Sequence, residues 1–122
     1  MLEIYGERSS PKGGAADITD RRTVLILCFD TPVNTSAQRK AYRVFVKKIT
    51  SLGYIRIQKS VYAKLLKNGN SIQTEFKKFG EWAPSEAEIM IIPMSLAHFS
   101  NIVTIGEFNF DYDLFANPLL IV

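Results

Sequence analysis

The residues with the most chemical potential in this chain stand where an apolar run stops. Val24-Leu25-Ile26-Leu27-Cys28-Phe29 ends in Asp30, followed by Thr31-Pro32. A run this dense reads as a strand buried on both faces. A carboxylate at its end cannot remain in the core unpaired, because an isolated buried charge is too costly. Asp30 must therefore emerge at the edge of the sheet, where it can meet a partner, a metal or a helix. Thr31-Pro32 stops the strand, since proline has no N–H for the ladder. Two readings follow: Asp30 caps the next turn, or it is a metal ligand. One carboxylate is a thin set of ligands for Mg²⁺, which takes oxygen donors and keeps several waters. A two-fold dimer would place two copies of Asp30 across an axis and double the supply. Such a site could activate water against a phosphodiester.

Helix-forming sequence after the strand carries Arg39, Lys40, Arg43, Lys47 and Lys48. No acid lies among them to form the usual ion pairs one turn apart. Either this is a solvated face, or it awaits a polyanion, whose phosphates would give affinity without sequence choice. Arg56, Lys59 and Lys64 add to the same balance. From residue 20 to residue 80 there are thirteen Lys or Arg against three acids, whereas residues 81–122 hold six acids and no Lys or Arg. A basic body suits a polyanion.

Other chemistries find little support. His98 is the sole histidine and has no Cys or His nearby in sequence, so it reads as a structural or surface residue. No Gly-rich phosphate loop of the required spacing occurs. Cys28 lies in the apolar strand and reads as a small buried hydrophobe. A single cysteine cannot form an internal disulfide, and a reducing cytoplasm is the default expectation. No apolar run approaches the ~20 residues that span a bilayer, and the N-terminus does not read as a signal peptide, so no membrane is expected.

The elements that must position these residues fit one domain of 122 residues, 47% of them hydrophobic. Residues 1–22 hold Ser9-Ser10-Pro11 and Gly13-Gly14 and read as a flexible extension. A strand is expected from Thr23 to Phe29. A helix capped by Thr35 or Ser36 follows, with Tyr42, Phe45, Ile49 and Leu52 as its buried stripe and Gly53 at its end. Residues 54–66 are too long for one ordinary strand and read as two segments, broken near Gln58-Lys59. Asn68-Gly69-Asn70-Ser71 is a turn and cap. A second helix has Ile72, Phe76 and Phe79 on one face and closes at Trp82-Ala83-Pro84. Residues 88–94 form a strand, and residues 102–105 a short one ended by Gly106. The order is β-α-β-β-α-β plus an extra C-terminal strand: α+β, ferredoxin-like, with two helices on one face of an antiparallel sheet. The domain spans residues 23–107, and residues 108–122 form a tail.

Several blocks together resemble the CRISPR-associated protein 2 family. They are the VLILCFD strand with Thr31-Pro32, then Arg39-Lys40-Ala41-Tyr42-Arg43, Gly53-Tyr54 and Gln58-Lys59-Ser60-Val61-Tyr62. Ile91-Ile92-Pro93-Met94 and Thr104-Ile105-Gly106-Glu107 resemble its fourth and fifth strands, and the wording around Cys28-Phe29-Asp30 resembles type II members. The resemblance implies a homodimer of ferredoxin-like subunits acting in CRISPR adaptation, bridging dimers of the CRISPR-associated integrase and holding the prespacer duplex DNA. It also implies a Mg²⁺-dependent nuclease on RNA or DNA, with Asp30 as metal ligand and catalytic residue and Ser60 near it as a second catalytic candidate that could orient water or a phosphate. Arg39, Lys40, Arg43, Lys47, Lys48 and Lys59 are then the candidate nucleic-acid contacts, and single-stranded RNA is an alternative substrate. The final strand, residues 102–105, would cross to the partner's sheet. The aromatic, acidic tail from Phe108 to Phe115 departs from the family pattern. It is expected to dock on its own dimer or on the integrase, with an added strand as one form, or else to be an ordinary packed C-terminus. The rival reading is a toxin-like ribonuclease or a non-catalytic RNA-binding module. No pair of strand aromatics forms the platform that an RNA-stacking sheet needs.

Overall fold

In the computed structural model the described residues are 22–66, 72–108 and 110–116. Of the expected extension (residues 1–22) only Arg22 is among them; the turn at residues 68–71 and the apolar end at residues 119–122 lie outside. Four strands, β1 (Thr23–Asp30), β2 (Ile55–Gln58), β3 (Val61–Leu65) and β4 (Glu88–Ser95), form one sheet in the order β2-β3-β1-β4. All its pairings are antiparallel. Helices α1 (Ser36–Ser51) and α2 (Ile72–Trp82) follow β1 and β3, and two short helices, α3 (Leu96–Phe99) and α4 (Tyr112–Ala116), come last. The arrangement is the ferredoxin-like one. No helix among the described residues is long and apolar enough to cross a membrane.

Alternation along β1 divides the core in two. Leu25, Leu27 and Phe29 point to the face covered by α1 and α2 and pack with Phe45, Ile49, Tyr62 and Phe79. Phe29 meets Phe45 edge-on, with ring centroids 5.1 Å apart. Val24 and Ile26 point the other way and pack with Ala63, Leu96, Phe99, Phe115 and Ala116. We call this second side the open face, because no long helix covers it.

Local chemistry explains the boundaries. Thr35 caps α1 through a capping box: its hydroxyl accepts from the Gln38 N–H, and the Gln38 side-chain oxygen accepts from the Thr35 N–H, each at 3.0 Å. Gly53, at φ 99, turns the chain out of the helix in a conformation that L side chains avoid. Residues 54–66 form a hairpin, with a bulge between Arg56 and Gln58 and a turn at Lys59-Ser60. Pro93 is accommodated because β4 is an edge strand.

Residues 102–105, expected to cross to a partner's sheet, pair with none of β1 to β4 of their own chain. Ile102 and Ile105 are instead 47% and 70% exposed. Among its described residues the tail adds no strand to this sheet: it turns back as α4 onto the open face. In α2, Phe76 does not take the inward position and is 39% exposed, while Glu75 is 1% exposed. Glu75 can occupy the interior because it is fully engaged there. The Tyr54 hydroxyl donates to its carboxylate at 3.0 Å, the Lys64 ammonium donates to both oxygens at 3.2 and 3.3 Å, and Lys78 lies at 3.7 Å.

Removing the carboxylate would leave Lys64 and Tyr54 stranded in a mostly dry site. Glu75→Ala should therefore destabilise the fold by about 3 kcal/mol, measured as a lower urea midpoint at unchanged slope. Burial first, then the Glu75 charge and hydrogen bond, hold the Tyr54 hydroxyl far above its ordinary range. A group whose pKa is raised on folding gives stability that is complete below the unfolded value and is lost as pH climbs beyond it. The unfolded value is about 10. Stability should fall above about pH 10, and Tyr54→Phe should flatten that fall in alkaline urea titrations.

Candidate nuclease centre and nucleic-acid interface

β1 carries Asp30 to the rim of the sheet, where it is exposed. By strand alternation Asp30 belongs to the open face, with Val24 and Ile26. Glu88, the first residue of β4, stands directly opposite it in the ladder and is also exposed. Opposed residues of an antiparallel pair place their Cβ atoms ~5 Å apart on the same face, and like charges there repel. Two carboxylates on one patch make a hard-oxygen pair suited to a divalent cation. Glu88 was missed in the sequence because it falls in the acidic C-terminal third, far from Asp30 along the chain. Only the register reveals the pairing.

Ser60 reaches the same rim from the β2–β3 turn. Its carbonyl accepts a hydrogen bond from the Phe29 N–H at 3.2 Å, tying the turn to the residue before Asp30. Ser60 holds φ 63, a left-handed conformation that costs a non-glycine residue about 1 kcal/mol. Its neighbour Lys59 is exposed at the tip of the turn. Asp30, Ser60 and Lys59 are thus brought to one end of the sheet, with Glu88 as an addition. Among the described residues no group of three or more His, Cys, Asp or Glu side chains forms a metal site. One chain therefore offers two opposed carboxylates here, hard-oxygen donors of the kind that Mg²⁺ takes. His98 lies on α3, exposed and apart from this group.

The basic residues of α1 form a separate surface. At 100° per residue Lys40, Arg43 and Lys47 fall within a stripe ~60° wide, opposite the Phe45 and Ile49 side that enters the core. All three are exposed. Lys40 lies near the helix N-terminus, where a cation opposes the helix dipole. The structure gives Arg39 and Lys48 internal work. The Arg39 guanidinium donates to the Val33 and Asn34 carbonyls, each at 3.2 Å. Lys48 sits over the Trp82 ring, 5.5 Å from its centroid, and so links α1 to α2. Asp30 and the Lys40–Arg43–Lys47 stripe are not brought together. They lie on opposite sides of the sheet, with the α1 layer between.

On the helix side, Arg56 of β2 is opposed to Tyr62 of β3 and is exposed. Tyr62 stacks on Phe29 at 5.8 Å, and Tyr42 lies 6.0 Å from the same ring. Burial, then the nearby Tyr42, raise the Tyr62 pKa, and Arg56 opposes the rise. Arg56 thus joins the aromatic group behind Asp30, a relation that charge counting alone does not give.

Residues 23–102 match the family model described as CRISPR associated protein Cas2. The chain belongs to that family. Proteins named CRISPR-associated endoribonuclease Cas2 are similar to it. That of Streptococcus mutans serotype c (strain NN2025) is 35% identical over 79 residues, 65% of this chain and 74% of that protein. The Ligilactobacillus salivarius (strain UCC118) protein is 38% identical over 65 residues, covering 53% of this chain and 64% of its own. The Treponema denticola protein is 32% identical over 89 residues, 72% of this chain and 88% of that one. The Cas2 match contains Asp30, Ser60, Glu88 and the whole of α1, and it stops before the tail that forms α4.

The division of labour within α1 has a measurable consequence. If the stripe meets phosphates, Lys40→Ala, Arg43→Ala and Lys47→Ala should each lower the slope of log affinity against log salt by about 1 for duplex DNA. Lys48→Ala should instead lower the melting temperature, through loss of a contact of about 0.5–1 kcal/mol.

Proposed function

We propose that this Cas2-family chain is a homodimeric CRISPR adaptation subunit with two working surfaces. The α1 stripe holds the backbone of duplex DNA for delivery between integrase dimers. The Asp30 rim carries metal-dependent phosphodiester cleavage of RNA or DNA. The observation that supports two tasks best is their separation, with the exposed cations on the outer side of α1 and the exposed carboxylates on the opposite side of the sheet. A duplex gripped by α1 is not thereby presented to Asp30.

The homodimer is supported by the open face. Met90 and Ile92 of β4 share that face with Asp30 and Glu88 and are exposed, as is Ile55 of β2. Apolar surface of this kind beside a half-complete ligand set is what a second copy would cover and complete. Residues 102–105, exposed and unpaired with this sheet, are suited to run along a partner's edge strand.

At the rim, Asp30 and Glu88 would hold Mg²⁺, and the ion when bound supplies a water of lowered pKa and neutralises charge on the phosphate. The chain's own residues do the rest. Ser60 orients the attacking water or a phosphate oxygen by its hydroxyl. Its backbone fixes the turn against β1. Lys59 draws the nucleic-acid strand to the rim. The names of the similar proteins favour RNA as the cleaved polymer.

Cleavage of single-stranded RNA and of duplex DNA, with Mg²⁺ or chelator, tests this reading. Asp30→Ala should reduce metal-dependent cutting to the chelated background with its dimer intact. Glu88→Gln should raise the Mg²⁺ concentration for half-maximal activity about tenfold. Equal cutting by wild type and Asp30→Ala would remove the rim from the mechanism. An absence of cutting by both would leave the DNA-holding role alone.

A further inference from the structure

The tail that lies beyond the Cas2 match occupies a specific place. Phe115 and Ala116 of α4 are buried, and they pack on Val24, Ile26 and Ala63 at one end of the open face. Phe99 organises the contact, with ring centroids 5.7 Å from Phe110, 6.1 Å from Tyr112 and 5.1 Å from Phe115. The Arg22 guanidinium donates to the Ala116 carbonyl at 3.0 Å, which satisfies a helix C-terminal oxygen. The same face continues uncovered toward the other end, where Met90 is 58% exposed. The tail therefore covers only part of one continuous apolar surface.

We propose that residues 110–116 act as a cap in cis, competing with a second copy of the chain for the open face. This rests on the homodimer reading given above. The argument is one of thickness. Two sheets that pack face to face lie ~10 Å apart. A helix with its side chains is ~10–12 Å across. Two copies cannot close over each other's open faces while α4 of each lies between them. The cap must leave before the partner seats.

The cap is also built to leave. A helix of five residues has no stability of its own and exists only while docked. Its connector is exposed from residue 101 to residue 107, apart from half-buried Val103, and Gly106 holds φ 104 there. Docking hides the Val24–Ile26–Ala63 patch in the single chain, where bare apolar surface would invite nonspecific association. Release exchanges that cover for the larger one offered by a partner. Self-association is thus tuned by a segment outside the family core, and so is completion of the Asp30 site on the same face.

Full-length Phe115→Asp and Phe110→Asp place a charge in the docked cluster and should free the tail without shortening the chain. Analytical ultracentrifugation over a dilution series should show each variant dimerising at least tenfold more tightly than wild type. Cys28, partly exposed on the same face, should react faster with a thiol reagent in each tail variant than in wild type at dilutions where both are monomeric. Two substitutions guard against one of them failing to fold, which circular dichroism would reveal. Met90→Asp lies outside the cap and should weaken the dimer in either background. An unchanged or weaker dimer in the folded tail variants overturns the cap and leaves the homodimer standing. If wild type and both tail variants stay monomeric at every concentration, the homodimer reading fails, and the competition with it.

Discussion

β1 is paired along both edges and covered on both faces, and every other element is placed by that requirement. Its neighbours β3 and β4 satisfy its backbone. α1 and α2 cover Leu25, Leu27 and Phe29, while α3 and α4 cover Val24 and Ile26. A strand so enclosed can place a carboxylate in water only at its end, and Asp30 is that end. The position proposed as the catalytic carboxylate is therefore a by-product of the fold's most buried strand. Glu75 shows the converse condition, under which a charge can stay inside: a hydroxyl and two ammonium groups converge on it.

Much of this was readable from the chain. The two-faced burial of β1, the Thr35 cap, the Gly53 stop, the break near Gln58-Lys59 and the strand at Glu88 all rest on local chemistry, which a sequence displays directly. What escaped reading depends on partners distant along the chain. Helical spacing allowed either Glu75 or Phe76 to face inward, and only Lys64 and Tyr54 decide for Glu75. The pairing of Asp30 with Glu88 spans 58 positions and is a matter of register. Residues 102–105 have the composition of a strand, and whether they form one depends on a ladder partner beyond β1 to β4. The aromatic composition of the tail argues against solvation, yet nothing local in it specifies a helix or the surface it meets.

Likewise the six cations marked out as one nucleic-acid surface divide once the fold is known. Lys40, Arg43 and Lys47 keep a common outward stripe, and Lys59 moves to the rim. Arg39 and Lys48 are drawn into the fold by carbonyls and by an indole. Charge counts measure how much cation a chain has. They do not separate cations that await a ligand from those already bound to their own backbone or rings. The groove of about 540 Å³ between α2 and β4, with Phe76 and Pro84 in its wall, shows the same loss of information for apolar residues.

Pro93 carries a consequence for the material state of the protein. β4 is an edge, and an edge with an unbroken row of N–H and C=O groups can template copy after copy into a fibre. Proline in such a row has no hydrogen to give, so the row is broken two residues before β4 ends. An added strand can zip along only part of β4, which favours one short segment over an endless stack. The residue looks like a defect in the sheet, but at an exposed edge it opposes the stacking of copies into filaments.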